Sequence, residues 1–138
     1  MVRDTPLILQ IDDEEDILAV SKLALEAVGG LRIVQCSSGT EALKVAPKEN
    51  PDLFLIDVMM PHIDGIETLR RLRSMDGFES KPAIFMTAKA TAQDREILMR
   101  SGAEAVITKP FDPLTVASDI LSIWARSLQD QVVDSPAG

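Results

Sequence analysis

Short apolar runs alternate with longer amphipathic segments five times along the chain. Short apolar runs are typical of buried β-strands, and the longer segments carry apolar residues at the spacing of helices. The predicted strands are residues 7–11, 32–36, 53–56, 83–86 and 105–108. Five strand–helix units in this order predict an α/β protein with one parallel sheet, covered by helices on both faces.

Capping signals mark where several helices begin. The sequence SGTE at residues 38–41 has the form of a capping box, and its helix must end before the proline at position 51. The sequence DGIE at residues 64–67 opens the third helix, and residues 91–101 form the fourth. At residues 112–113 an aspartate precedes a proline, which predicts the start of the last helix because aspartate accepts backbone N–H bonds there.

The first and last helices each carry an apolar stripe. The first helix is predicted from about Glu14 to a pair of glycines, and its stripe contains Ile17, Val20, Ala24 and Ala27. The stripe of the last helix contains Leu114, Ala117, Leu121, Trp124 and Leu128. A second apolar set on the last helix, Val116, Ile120 and Ile123, predicts either a wider buried face or a surface for a dimer or partner.

The length of 138 residues fits a single domain, because it is enough for one hydrophobic core and short for two. The periodic pattern ends after Leu128. We therefore predict a domain over residues 1–128 and a flexible tail over residues 129–138.

Charge and cysteine content restrict the function and the location. The chain has 14 basic and 22 acidic residues, a formal charge of -8 that disfavours direct binding to nucleic acid. Its single cysteine, Cys36, excludes an internal disulfide framework and is typical of a reducing compartment. No apolar run approaches the roughly 18–20 residues of a membrane helix, and no charged-then-apolar leader is visible. We expect a soluble, cytoplasmic protein that does not contact a membrane.

Polar residues follow four of the five predicted strands. Asp12 and Asp13 follow the first strand, Asp57 the third, Thr87 the fourth and Lys109 the fifth. Because the carboxyl ends of parallel strands lie at one edge of a sheet, we expect these side chains to meet there. An ionised carboxylate at the end of an apolar run is costly unless it is paired or bound to a metal, so Asp57 needs such a partner.

The predicted cluster has the chemistry of phosphoryl transfer. Neighbouring carboxylates repel one another and favour a hard divalent cation such as Mg²⁺, which completes its shell with water and phosphate. A carboxylate can accept a phosphoryl group, while a lysine neutralises it and a threonine hydrogen-bonds to it. A lone DD pair, threonine or Lys-Pro is a weak signal, whereas their order at successive strand ends is a strong one.

Four motifs resemble the receiver domain of response regulators in two-component signalling. They are IDDEED, LIDVMMPHIDG, MTAKA and GAEAVITKPFDP, and the resemblance runs from about Leu7 to Leu128. It implies a flavodoxin-like fold with strand order 2-1-3-4-5 and five helices. It also implies a phosphoprotein switch that promotes only its own phosphorylation and dephosphorylation and is not otherwise an enzyme.

The resemblance assigns a role to each matching residue of the metal site. Asp57 would accept the phosphoryl group. Asp13 would bind Mg²⁺ directly, and Asp12 would help through a water molecule. The backbone carbonyl of Met59 would complete the protein ligands, so the implied metal site consists of Asp12, Asp13, Asp57 and Met59.

The resemblance also implies how the phosphoryl group is held. Lys109 would pair with one phosphoryl oxygen, and Thr87 would bond another after a shift of the loop that follows it. The bond between Lys109 and Pro110 would be cis. Gly65 would be a turn glycine at which a side chain obstructs the entry to the third helix.

The implied partners are proteins. A histidine kinase or a phosphotransfer protein would donate the phosphoryl group, and a protein target would bind the surface of the fourth helix, fifth strand and fifth helix. The chain would be a monomer or a weak dimer through that same face.

Three positions depart from the family pattern or vary within it. Val106 occupies a position that is commonly aromatic, and the chain contains no tyrosine. Since a valine cannot make the usual ring rotation, we expect the loop after Thr87 and the fourth helix to carry the signal instead. Met59 and Lys89 flank the predicted reaction centre, and an apolar Met59 would orient an attacking water poorly, which predicts a long-lived phosphoryl group.

Several residues are interpreted without a role in the site. His62 is expected to be a solvated loop residue and Cys36 a small core residue. Glu14, Glu15 and Asp16 are expected to stabilise the start of the first helix rather than to act as ligands.

Three rival functions differ in class from a phosphorylation switch. A flavodoxin-like electron carrier is disfavoured because DDEED would repel a bound phosphate. A phosphatase with an aspartate nucleophile normally has a carboxylate two residues later, where this chain has Met59. The alternative that stays open is a degenerate receiver acting as a phosphorylation-independent interaction module, which the intact set of strand-end residues disfavours.

Overall fold

A parallel sheet of five strands forms the centre of the protein, in a computed structural model that describes residues 5–133, with side chains from 5 to 130. The strands are β1 (Leu7–Ile11), β2 (Arg32–Cys36), β3 (Leu53–Asp57), β4 (Ala83–Thr87) and β5 (Ala105–Thr108). All neighbours are parallel, in the order β2-β1-β3-β4-β5, which confirms the predicted fold. β3 and β4 each run one residue further than predicted, so that they end at Asp57 and Thr87.

Five helices cover the two faces of the sheet. They are α1 (Glu15–Lys22), which continues as a π-helical segment (Leu23–Val28), α2 (Gly39–Glu49), α3 (Gly65–Arg73), α4 (Ala92–Arg100) and α5 (Val116–Val133). Buried residues of α2, α3 and α4 pack with Leu9 and Ile11 on one face, and those of the π-helical segment and α5 pack with Ile8 on the other. Successive residues of β1 thus enter opposite cores, as the two-residue period of a strand requires. Within residues 5–133, no helix is long and apolar enough to span a membrane.

The capping signals before α2 and α3 are confirmed. The hydroxyl of Ser38 accepts the backbone N–H of Glu41 at 3.0 Å, and the carboxylate of Asp64 accepts that of Glu67 at 2.8 Å. In the first case the reciprocal bond is displaced by one residue, because the Glu41 carboxylate accepts the amide of Ser37 at 2.7 Å. Side-chain hydrogen bonds therefore fix the backbone both before and after the N-cap residue of α2.

α5 begins later and extends further than predicted. The carboxylate of Asp112 accepts the backbone N–H of Leu114 at 2.9 Å and closes a turn that precedes the helix. Leu114 consequently lies outside the helix and is 77% exposed, so its assignment to the buried stripe is wrong. The helix continues to Val133, beyond the predicted domain end. Residues 134–138 of the predicted tail lie outside the described residues.

The second apolar set of α5 belongs to the core. Val116, Ile120 and Ile123 are all buried, and they pack with Ala117 and Trp124 against the sheet. The interpretation of this set as a wider buried face is confirmed, and its interpretation as a dimer or partner surface is wrong.

The buried stripe of α1 also differs from the prediction. Val20 is 40% exposed and Ala27 is exposed, whereas Ser21 is buried. Ser21 is tolerated inside because its hydroxyl accepts the side-chain amide of Gln10 at 2.7 Å, and Gln10 in turn accepts the amide of Gln35 at 2.9 Å. A buried polar group with a partner avoids the cost of desolvation. The predicted stripe is therefore correct at Ala24 and wrong at Val20 and Ala27, because the buried face of α1 includes a serine.

Candidate functional site

The ends of four strands bring the predicted site residues together. Asp57 is the last residue of β3 and Thr87 the last of β4, while Asp12 directly follows β1 and Lys109 directly follows β5. β1 and β3 are adjacent, and β2 and β4 lie on their outer sides, so the strand order reverses between them. Parallel α/β sheets place their ligand sites at this position.

Lys109 joins the carboxylates of the site. Its Nζ lies 2.7 Å from Oδ2 of Asp12 and 3.2 Å from Oδ1 of Asp57. All three side chains are at least nine-tenths buried, so water screens their interaction little. The structure thus brings together residues that lie 97 positions apart in the sequence, as predicted.

The donor set fits a hard divalent cation. Asp12, Asp13 and Asp57 each offer a carboxylate oxygen, and these oxygens lie within 4.8 Å of one another. Asp12 and Asp57 are buried, whereas Asp13 is exposed and leaves one side of the cluster open to solvent. The second oxygen of Asp57, Oδ2, is buried and has no hydrogen-bond partner. A carboxylate that keeps one oxygen without a partner beside two further carboxylates concentrates negative charge, and Mg²⁺ binding to the cluster neutralises that charge.

The positive charge near Asp57 is too small to offset the effects of burial and of Asp12 on its pKa. Burial and then the charge of Asp12 raise the pKa of Asp57 from 3.8 to about 6, although Lys109 acts to lower it. Burial acts to lower the pKa of Lys109, but its hydrogen bond and charge interaction with Asp12, followed by those with Asp57, raise it overall. One ammonium therefore does not compensate the carboxylates around it, and a bound cation would stabilise the ionised form of Asp57.

Thr87 is the last residue of β4, the strand next to the one that ends at Asp57. The side chain is buried, and its Oγ1 accepts the backbone N–H of Lys89 at 3.0 Å. This bond uses an oxygen lone pair and not the hydroxyl proton. Thr87 therefore connects the end of β4 to the following loop and keeps a donor for a ligand.

Two backbone features predicted near the site are confirmed. The peptide bond between Lys109 and Pro110 is cis. A Cβ atom on Gly65 would lie 2.3 Å from the carbonyl oxygen of Asp57. The obstruction expected from a side chain at Gly65 is thus a collision with the backbone of the phosphoacceptor candidate itself.

Glu14 contacts the site although it was interpreted only as a helix-capping residue. It occupies the N-cap position of α1, but its side chain accepts no capping bond. Its Oε1 instead lies 3.4 Å from Nζ of Lys109. The only signal for this contact in the sequence is the position of Glu14 directly after the aspartate pair.

The other residues set aside lie where they were expected. His62 is exposed in the loop between β3 and α3, with a left-handed φ of 70°. Cys36 is 1% exposed and packs in the core, where burial followed by the charge of Glu41 raises the pKa of its thiol to about 12.

Comparison with known proteins identifies the family. The family model described as "Response regulator receiver domain" matches residues 8–120. The chain belongs to this family. It is a receiver domain of two-component signalling, and such domains are signalling switches rather than classical enzymes.

Two curated relatives show how far the similarity extends. The receiver domain is 39% identical over 120 residues to the alkaline phosphatase synthesis transcriptional regulatory protein PhoP of Bacillus subtilis, which covers 87% of this chain and 49% of that protein. It is 32% identical over 131 residues to the response regulator Rre1 of Synechocystis, covering 95% and 55%. The chain therefore spans about half the length of these relatives.

A solved structure confirms the fold. The receiver domain of the Francisella response regulator 1452 superposes with a TM-score of 0.79 at 28% identity, covering 89% of this chain and 99% of that one.

The two flanking positions of this receiver domain line one cavity. Met59 and Lys89 border a cavity of about 140 Å³ together with Thr87, Ile97 and Leu98. The Met59 side chain is 66% exposed, and Ile97 on α4 is 52% exposed. The cavity places an apolar residue and a cation next to Thr87.

Val106 is connected to α4 through its backbone. Its side chain is half-buried and packs against the core, and its carbonyl accepts Nη1 of Arg95 at 3.3 Å. Arg95 also donates from Nη2 to the hydroxyl of Thr108 at 3.0 Å. An arginine of α4 thus spans β5 at the position where the family commonly has an aromatic ring.

Proposed function

We propose that this receiver domain is a phosphorylation-controlled switch that accepts a phosphoryl group on Asp57 from a histidine kinase or a phosphotransfer protein. The observation that carries the proposal is the second carboxylate oxygen of Asp57, which is buried and has no hydrogen-bond partner. The first oxygen is held by Lys109 at 3.2 Å, so Oδ2 is the free nucleophile. Its attack on phosphorus forms the P–O bond and breaks the bond to the donor's imidazole nitrogen, which then takes up a proton.

Asp12, Asp13, Asp57 and the backbone carbonyl of Met59 would hold a Mg²⁺ ion. When bound, the ion supplies positive charge that neutralises the carboxylates and the incoming phosphoryl oxygens. Hydrogen bonds fix both oxygens of the Asp12 carboxylate, because Oδ1 accepts the backbone N–H of Glu14 at 2.9 Å and Oδ2 accepts Nζ of Lys109 at 2.7 Å.

Lys109 and Thr87 would hold the transferred group. Lys109 contacts Asp57 already and would pair with a phosphoryl oxygen as a point charge. The hydroxyl proton of Thr87 would bond a second oxygen once the loop that carries Lys89 shifts. Both side chains would then stabilise the negative charge that develops on the phosphoryl oxygens during the transfer. This charge stabilisation is the main requirement of phosphoryl transfer.

Incubation with Mg²⁺ and acetyl phosphate tests the proposal. We expect wild-type protein to gain the mass of one phosphoryl group, and a chelator or Asp57→Asn to abolish the gain. The degenerate-receiver alternative predicts no modification in the wild type. Failure of the wild type to react, or modification of Asp57→Asn at the same level, would contradict the proposed role of Asp57.

The output would pass through the surface formed by α4, β5 and α5. We propose that a protein target binds this surface, and that the domain is a monomer or a weak dimer through the same surface. Thr87 accepts the Lys89 amide, so recruitment of its hydroxyl to a phosphoryl group would pull on the loop that leads into α4. Arg95 would transmit the shift, because it joins α4 to Val106 and Thr108 of β5.

Thr87→Ala should therefore uncouple phosphorylation from output. We expect the variant to keep most of its reaction with acetyl phosphate but to lose at least half of the phosphorylation-dependent amide shift changes across α4 in NMR spectra. Threonine to serine is the control, since it keeps the hydroxyl. Full shift changes in the alanine variant would rule out the Thr87 loop as the route of the signal.

Met59→Asn should shorten the life of the phosphoryl group. Met59 is exposed beside the site, and an asparagine there could orient a water molecule with one hydrogen bond. One such bond should make the loss of the phosphoryl group roughly five-fold faster. His62→Asn is the matched control, because His62 is exposed in the same loop and its left-handed φ of 70° suits asparagine. Slower loss in Met59→Asn, measured by the decay of phosphoprotein, would refute the role given to Met59.

We further propose that the domain does not bind nucleic acid directly, because its formal charge is -8. The relative PhoP is a transcriptional regulatory protein by name, and it is about twice as long as the matched segment. Any DNA contact of a longer regulator would then belong to the part outside the receiver domain.

A further inference from the structure

The ammonium of Lys109 has three carboxylate partners. Nζ lies 2.7 Å from Asp12, 3.2 Å from Asp57 and 3.4 Å from Glu14. A lysine ammonium has three N–H donors and no acceptor. Hydrogen bonds to Asp12 and Glu14 already engage two of these donors, so a phosphoryl oxygen on Asp57 shares Lys109 with both carboxylates.

The three partners differ in how readily they can leave. The side chains of Asp12 and Asp57 are 1% and 5% exposed, and both lie at strand ends in the core of the site. The side chain of Glu14 is 60% exposed and makes the longest of the three contacts. Solvation compensates a glutamate that leaves, whereas Asp12 would keep an uncompensated buried charge, and Asp57 loses its carboxylate charge when the phosphoryl group is attached. Glu14 is thus the partner that can be displaced.

The backbone of Glu14 keeps its side chain in range. Its amide donates to Oδ1 of Asp12 at 2.9 Å, and this bond fixes the N-cap of α1 next to the aspartate that also binds Lys109. Departure of the side chain does not require departure of the backbone, since the two contacts use different atoms. The contact can therefore open and close without a change in the fold.

We infer that the Glu14 carboxylate competes with a phosphoryl group on Asp57 for Lys109. The inference rests on the proposed function. It makes Glu14 a positioning residue that weakens the binding of anions and thereby opposes phosphorylation. It contacts neither the phosphoryl group nor the donor.

Beryllofluoride, which mimics a phosphoryl group on a carboxylate, tests the competition. We expect Glu14→Gln to bind beryllofluoride about three-fold more tightly than wild type in ¹⁹F NMR titrations, the size expected for one exposed ion pair. Binding of Mg²⁺ alone should stay equal or weaken, because a negative charge near the cation is removed. A merely structural defect would weaken both ligands, so the opposite directions identify competition.

Two variants separate the contact from net charge. Glu15→Gln removes the same charge from the adjacent residue, which is exposed and is not a partner of Lys109, and it should leave beryllofluoride binding within error of wild type. Glu14→Asp keeps the charge but shortens the side chain by one methylene, so it should bind more tightly than wild type as well. Equal gains in Glu14→Gln and Glu15→Gln, or no gain in Glu14→Gln, would overturn the inference.

A second measurement distinguishes failure of this inference from failure of the proposed function. At fixed pH, the NMR signals of the Lys109 ε-methylene should shift in Glu14→Gln and stay in place in Glu15→Gln. If wild type binds no beryllofluoride, the proposed function fails. An unshifted Lys109 signal in Glu14→Gln refutes the contact between Glu14 and Lys109, on which the competition depends.

Discussion

Asp57→Asn should be more stable than wild type in metal-free buffer at about pH 8, by up to about 3 kcal/mol. Burial and the neighbouring Asp12 raise the pKa of Asp57 from 3.8 to about 6, so the folded state holds this proton more tightly than the unfolded state does. Wild-type stability must then fall as pH rises through the window between those two values. Asparagine has nearly the same shape, carries no charge and does not incur this loss.

The pH dependence and a matched variant make the test specific. Urea unfolding can be followed by the fluorescence of Trp124, which is 8% exposed in the native state. The advantage of Asp57→Asn should disappear near pH 4 and reach its full size above about pH 6. Asp13→Asn, which removes an exposed carboxylate of the same cluster, should change metal-free stability little. A less stable Asp57→Asn at high pH would show that Lys109 compensates Asp57 fully.

Magnesium should narrow the difference in stability between wild type and Asp57→Asn. A ligand that binds only the folded state adds stability in proportion to its occupancy, so Mg²⁺ should stabilise wild type and narrow its deficit. Asp57→Asn and Asp13→Asn each lack a carboxylate of the proposed metal site and should gain less stability from Mg²⁺. The charge imbalance that weakens the metal-free domain would thus be the source of the proposed affinity for a cation, which connects the stability of this fold to its proposed activity.

The sheet and the composition of the site could be predicted from the sequence for a common reason. Apolar runs fix where strands lie, and parallel pairing forces their carboxyl ends to one edge. Asp57 and Thr87 could therefore be placed together although they occupy different strands, and Lys109 could be placed beside Asp12 despite their separation of 97 positions. Placing these residues at one edge of the sheet requires only the positions of the strands and their parallel pairing, and not the directions of side chains.

The features that were missed depend on side-chain partners that a periodic pattern does not show. Ser21 looks like a surface residue of α1 until Gln10 is known to face it. Glu14 looks like a capping residue because the direction of its side chain is decided by Lys109, 95 positions away. Leu114 has the spacing of the α5 stripe, but Asp112 holds it in a turn before the helix begins. The first two errors concern the direction of one side chain, and the third concerns where α5 begins; none of them changes which elements the chain forms.

Gly65→Ala should destabilise the domain by about 3 kcal/mol, although alanine is the better helix former. A Cβ at this position would lie 2.3 Å from the carbonyl oxygen of Asp57 and 3.0 Å from Cα of Val58. Both neighbours are backbone atoms of a buried strand end, so neither can turn away as a flexible side chain would. The Gly65 amide also donates to the Val58 carbonyl at 2.9 Å, which holds the first residue of α3 against β3. The strain must therefore move α3, Asp57 or both.

The consequence extends from stability to the proposed function, because the displaced atoms belong to Asp57, the proposed phosphoacceptor. Gly65→Ala should lose beryllofluoride affinity even at temperatures where it stays folded, and urea unfolding with ¹⁹F titrations measures the two effects separately. Gly30→Ala is the control: its φ of 68° is strained for alanine, but no atom lies within 4 Å of its Cβ, so about 1–2 kcal/mol and no loss of affinity are expected. An equal cost at both glycines would mean that backbone conformation, and not the approach of Asp57, accounts for the effect at Gly65.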